Sequence, residues 1–208
     1  MEALLAFGAA LLALRLGGAL AGRWRAKRRP ELAAWSAGLV CYAIAAGALA
    51  WGAAAGWSEP AFRVYYLFGG LLTAALLGLG STLLYGWRWT LYPGLVYVGL
   101  AIGVAIAAPI HGDTSGTSIP EAQEHLDFLP ARLVAILGNS VGTIAVIGVA
   151  IATIRGRPLG NVLIITGVAV AALGSAFAGL GAAESAIFVA IAALLLYGGF
   201  TARSGARR

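Results

Sequence analysis

Between Arg63 and Arg88 the chain carries no ionisable side chain except tyrosines. Wound as a helix at ~1.5 Å per residue, such a run crosses the ~30 Å hydrocarbon core of a bilayer. Its ends are marked. Arg63, Tyr65 and Tyr66 stand at one, and Tyr85, Trp87, Arg88 and Trp89 at the other, the aromatic and basic girdle of a membrane interface. Between them Tyr66, Gly70, Thr73, Leu77 and Ser81 fall on one helical stripe, with Gly69, Gly78 and Gly80 close by. Small and weakly polar groups in that pattern suit contact with other helices rather than lipid.

The remaining sequence reads as further helices around this one. Of its 208 residues 61% are hydrophobic and only 11% are charged. Soluble domains have roughly a quarter charged, so this chain belongs to the membrane class. A net charge of +6 would suit a nucleic-acid binder, but the basic residues are dispersed over short loops between apolar runs. Membrane orientation accounts for that placement, and no nucleic-acid partner is expected. Cys41 is alone in an apolar segment, which excludes an intrachain disulfide.

The expected architecture is all-α, a single seven-span bundle over residues 1–208, with spans at about 2–21, 32–57, 63–87, 90–109, 131–154, 161–180 and 185–201. The basic cluster Arg23, Arg25, Lys27, Arg28 and Arg29 follows the first apolar run instead of preceding it. A cleaved signal peptide has the reverse order, so the first span is expected to be retained. The one long polar connection runs from His111 to Arg132. In it Ile119, Ala122, Leu126 and Leu129 recur at helical spacing after Ser118 and Pro120, which predicts an amphipathic surface helix over about 119–129. Asn161, after Gly160, is expected to cap the sixth span at an interface.

The charges segregate by side. Arg23 to Arg29, Arg88, Arg155, Arg157, Arg203, Arg207 and Arg208 fall on one, with Glu31 as its acid. Glu2, Glu59, Asp113, Glu121, Glu124, Asp127 and Glu184 fall on the other, with Arg63 and Arg132. The excess of Lys and Arg on cytoplasmic loops then sets the N-terminus out and the C-terminus in. Spans one to three and five to seven share the order span, basic loop, span, short acidic link, span. A three-plus-one-plus-three repeat of the kind found in transporters is one reading, and chance likeness between Ala- and Gly-rich helices is the other.

The candidate ligand-binding residues are Arg63, Tyr66, Thr73, Arg132, Asn139, Ser140 and Thr143. Arg63 and Arg132 open spans three and five on the acidic side. They either cap one shared cavity for an anionic guest above Tyr66 and Asn139, or pair with Glu59, Glu184 or Asp127 and fix helix ends. An amide inside a span must find partners, so Asn139 either lines a polar pocket with Ser140 and Thr143 or ties two helices together. Glu121 and His125 with His111 and Asp113 could meet at a metal, or form a solvated polar face; the second is expected. No catalytic residue, metal site or cofactor is expected. The chain has no lysine in span seven for a retinal Schiff base, no acid deep in a span for a proton relay, and no HExxH, nucleophile elbow or phosphate loop.

The segments Arg63–Gly69, Leu79–Ser81, Gly138–Thr143 and Gly160–Ile164 resemble a family of uncharacterised seven-helix membrane proteins of high-GC bacteria. More distantly the layout is similar to the seven-helix sensor regions that precede bacterial histidine kinases, although this chain ends at Thr201–Arg208 without an output domain. That family brings no established activity; the expected function is that of a non-enzymatic protein of the bacterial inner membrane, sensory, ligand-binding or accessory to a membrane complex. A small solute transporter or channel is the alternative. Expected partners are the lipid bilayer, another membrane protein or a second copy, and a small anionic ligand.

Overall fold

A computed structural model describes residues 1–116, 118–178 and 185–202. Thr117, Glu184 with the rest of the last link, and the tail with Arg203, Arg207 and Arg208 lie outside the described residues. The structure is 85% helical and has no strand among the described residues. Its long helices are α1 (Glu2–Lys27), α2 (Pro30–Ala55), α3 (Glu59–Tyr85), α4 (Leu91–Ala107), α5 (Leu133–Ala152), α6 (Pro158–Ala178) and α7 (Ser185–Thr201). Five of these segments are long and apolar enough to cross a membrane: α1, α2, α3, α4 with the turn Arg88–Thr90, and α5 with Phe128–Arg132. Two further apolar helices, Pro158–Gly174 and Ala186–Thr201, are shorter over the described residues.

Helix boundaries follow local chemistry more than hydrophobicity. α1 runs on past the apolar segment through Arg23, Arg25 and Lys27, good helix formers, and stops at Arg28 with φ 53°. Pro30 opens α2 at a position whose N–H needs no helical partner, and Gly56 at φ 89° ends it. Gly86 at φ 103° closes α3 in the same way.

Packing runs α1 on α2, α2 on α3, α3 on α5, α5 on α6, α6 on α7 and α7 back on α1, a closed ring of six helices. The remaining long helix, α4, lies outside the ring against α3 and α5. The size order of side chains is inverted relative to a water-soluble bundle. On α1 the alanines Ala6, Ala9 and Ala13 are buried with Leu16 and Leu20, while Leu4, Phe7, Leu11 and Leu14 are more than half exposed. Small residues inside and bulky apolar ones outside bring backbones together where lipid, not water, surrounds the protein. Helices α3 and α5 approach closely. A Cβ placed on Gly78 would lie 2.6 Å from the Gly142 Cα, and one on Gly142 would overlap the Ala74 carbonyl.

The surface helix expected over about 119–129 is a single turn, Ala122–His125. Glu121 is still extended, and Leu126 returns to extended backbone, where it bridges Ile110 in antiparallel fashion and buries its side chain to 6% exposure. The His111 N–H donates to the His125 carbonyl at 2.9 Å. Closing the loop by burying Leu126 uses the residue that the amphipathic face required, and Leu129 is left 62% exposed.

Candidate functional site

Helix α3 is not regular. Tyr66–Thr73 is wound as a π segment, within the apolar run between Arg63 and Arg88. Such a segment widens the helix and turns carbonyls out of the regular ladder, and it recurs at functional positions. Here side chains from three helices collect on those carbonyls. Asn139 Nδ2 donates to the Gly70 carbonyl at 2.6 Å and to its own helix at Ala135 O, 2.9 Å. The Tyr97 hydroxyl from α4 lies 2.9 Å from the Leu71 carbonyl and 3.1 Å from that of Val134, and donates to one at a time. Thr73 Oγ1 donates back to Phe68 O at 2.7 Å. Gly138 is required here, because a Cβ would occupy the place of the Tyr97 hydroxyl.

The structure therefore brings Tyr66, Thr73 and Asn139 to one junction. Tyr66 donates from its hydroxyl to the Ala131 carbonyl at 3.1 Å, tying α3 to the turn before α5. Thr143 is half-buried one turn beyond Asn139, and Ser140 is exposed. Arg63 is turned to a different partner. Its Nη1 donates to Ala105 O and Ala108 O, each at 2.9 Å, and its Nε and Nη2 reach Glu59 Oε1 at 3.1 and 2.9 Å. A cation on the last carbonyls of α4 complements that end of the helix dipole. Arg132 is half-exposed with its guanidinium 5.7 Å from the Phe128 ring centre. The cavity at this end is bordered by Phe62, Arg63, Tyr66, Ala105, Ala108 and Leu126, among others, and measures about 10 Å3. That is near the smallest volume that holds one water.

The loop groups are partnered locally. His111 Nε2 pairs with Asp127 Oδ2 at 3.2 Å, and His125 Nδ1 donates to the His111 carbonyl at 2.7 Å. Asp113 accepts from the Ser115 hydroxyl at 2.7 Å and from the Ser115 N–H at 2.8 Å. Those bonds, the hydroxyl's first, hold its carboxyl below its ordinary pKa, with a smaller contribution from His125. Among the described residues no three His, Cys, Asp or Glu side chains gather in a metal-holding arrangement.

A larger cavity, about 30 Å3, lies at the opposite, basic end and was missed by sequence reasoning. Trp35, Ser81, Thr153, Arg157, Asn161 and Phe200 border it, from α2, α3, α5, α6, α7 and the segments joining them. Asn161 is no interfacial cap. It is 5% exposed, and its Nδ2 donates to Ala150 O at 3.0 Å and to Thr153 Oγ1 at 2.9 Å, which pins α6 to the end of α5. The usable signal was a run of polar residues, Thr153, Arg157 and Asn161, at four-residue spacing across two helix ends.

Comparison with protein-family models, with curated proteins and with solved structures finds no match. The resemblance drawn above rests on its short segments alone.

Proposed function

We propose that this is a non-enzymatic protein of the bacterial plasma membrane that crosses it seven times, N-terminus outside, and works as a sensory or accessory subunit. The observation that carries the reading is the π segment Tyr66–Thr73, fastened by Asn139 and Tyr97 from neighbouring helices. A π segment and a regular helix differ by a small slip of register, so α3 has a second conformation within reach. A small anionic ligand near the half-exposed Arg132, or a partner docked beside it, would act on Tyr66 and Ala131 and bias that slip. The far end of α3, which holds Ser81 and Tyr85, would then shift on the other face. No reaction is required; a ligand acts by binding one of two conformations better than the other.

A second reading, a small solute carrier, is favoured by one feature. Helices α1–α3 and α5–α7 form the ring and α4 stands outside it, a three-plus-one-plus-three layout. Against an open channel stands the Gly78–Gly142 contact at the waist. Purified protein in sealed proteoliposomes separates the readings. No flux of organic anions or sugars, together with co-purification of a second membrane protein from the native membrane, supports the sensory or accessory role. Saturable flux of one solute overturns it.

A further inference from the structure

Helix α1 is long and apolar enough to cross a membrane, and it carries one cation well inside its apolar run, Arg15. Arg15 stands thirteen residues after Glu2 and eight before Arg23, ~20 Å and ~12 Å along the helix axis. It is exposed, turned away from α2 and α7, the helices on which α1 packs. Among the described residues it has no hydrogen-bond or ion-pair partner. A charged side chain within a span nearly always turns to the bundle interior or to a water-filled cavity. This one faces out. Nor is it aimed at the nearer water. Cα–Cβ bonds on a helix tilt towards its N-terminus, so Arg15 leans away from the basic end and deeper into the span.

The surface around it breaks the pattern of the rest of α1, where Leu4, Phe7, Leu11 and Leu14 face outward. Gly18 and Gly22 follow Arg15 at helical spacing on the same face, and both are exposed. Neither has anything within 4 Å of where a Cβ would stand, so a second helix can come in close beside the guanidinium. The chain itself has no acid to bring there. Of its eight acidic residues, Glu2, Glu31 and Glu59 lie in first helical turns and the others in the connections between long helices. A second copy therefore offers no carboxylate at this depth, and symmetric pairing through this face would set arginine against arginine.

We propose that the outer face of α1 docks a transmembrane helix of another protein that carries an Asp or Glu at the depth of Arg15. Where lipid excludes water, a carboxylate is the acceptor that best matches a guanidinium, in charge and in paired N–H geometry. The inference rests on the accessory-subunit reading and names the chemistry of the partner.

The test reconstitutes the full-length chain, with Cys41→Ala and a donor dye on Arg25→Cys, in vesicles of neutral phosphatidylcholine. The probe is a membrane-spanning peptide of leucine and alanine with one glutamate at the depth of Arg15 and an acceptor dye at the end beside Arg25. Saturable energy transfer is expected, with a glutamine-bearing control peptide bound at least tenfold more weakly. Arg15→Leu should abolish the preference for glutamate, and Arg15→Lys should keep part of it. Gly18→Ile puts bulk on the open face without touching another helix of this chain, and should weaken binding tenfold or more. Equal transfer to the two peptides, or transfer unchanged in Arg15→Leu, overturns the proposal. So does an absence of glutamate-peptide binding together with phosphatidylglycerol retention that Arg15→Leu removes, which would make Arg15 a contact for lipid headgroups. Purification from native membranes separates this inference from the reading beneath it. A second membrane protein held by Arg15→Leu as firmly as by the unaltered chain would keep the accessory role and overturn the α1 docking face.

Discussion

Asn139 is the side chain on which the α3–α5 junction turns. Its amide spans two helices, one bond to Gly70 O and one to Ala135 O. A hydrogen bond between membrane helices contributes only ~0.6–2 kcal/mol, because the unfolded chain in lipid also finds partners. Asn139→Leu should therefore lower the unfolding free energy in detergent by an amount in that range, with a lowered thermal midpoint, while Ser140→Leu, exposed on the next position, leaves both in place. An unmoved midpoint for Asn139→Leu would mean the π segment holds without its clamp. In the loop, Asp113 offers a titration that can be read directly. Its carboxyl is held low by Ser115, so any stability it adds is present above the ordinary carboxylate pKa, ~3.9, and is lost as pH falls through its lower folded value. Ser115→Ala removes the hydroxyl and leaves the N–H bond, and should move the Asp113 pKa part of the way back up in a carboxyl NMR titration. No movement would show that the backbone bond alone sets it.

The α3–α5 crossing is an element-scale property, set by backbone contact rather than by any polar group. Gly142→Ala forces a methyl against the Ala74 carbonyl, and overpacking of this kind costs about 1–3 kcal/mol. Gly148, two turns along the same helix, has nothing within 4 Å of a Cβ, so Gly148→Ala should change stability by less than ~0.5 kcal/mol. Denaturation of both variants in one detergent checks the contrast, and equal losses would remove the crossing as a tight contact. Part of this was legible in the chain: the stripe with Gly70, Gly78 and Gly80 marks a face for close helix contact, whereas the spans expected at 32–57 and 63–87 run past Gly56 and Gly86, where the helices end. The π segment was not legible, because propensity and hydropathy cannot distinguish it from regular helix. It depends on bonds from Asn139 and Tyr97, which are 69 and 26 residues away from their acceptors. The surface helix over 119–129 was misread because periodicity could not register that Leu126 is needed to seal the loop against Ile110.

At the scale of the whole molecule, the candidates read from sequence lie towards the acidic end and none lies at the basic one, since the larger cavity joins helix ends far apart in the chain. The charge bias that the sequence does carry yields a prediction of topology. Successive helices along the chain alternate in direction, so the α1–α2 turn at Arg28 and Arg29 and the mouth at Arg157 belong to one face, and the His111–Asp127 loop to the other. Loop lysines and arginines hold their face in the cytoplasm during insertion. The native thiol, Cys41, is buried at 7% exposure and can be replaced by alanine to give a clean background. In that background Glu124→Cys, on the exposed part of the acidic loop, should react with a membrane-impermeant maleimide on intact cells. Arg25→Cys, exposed at the end of α1, should react only after permeabilisation. Labelling of Arg25→Cys on intact cells with protection of Glu124→Cys would invert the protein in the membrane. Reaction of both from one side would show that the number of crossings between α1 and the loop is wrong, and the seven-span reading would go with it.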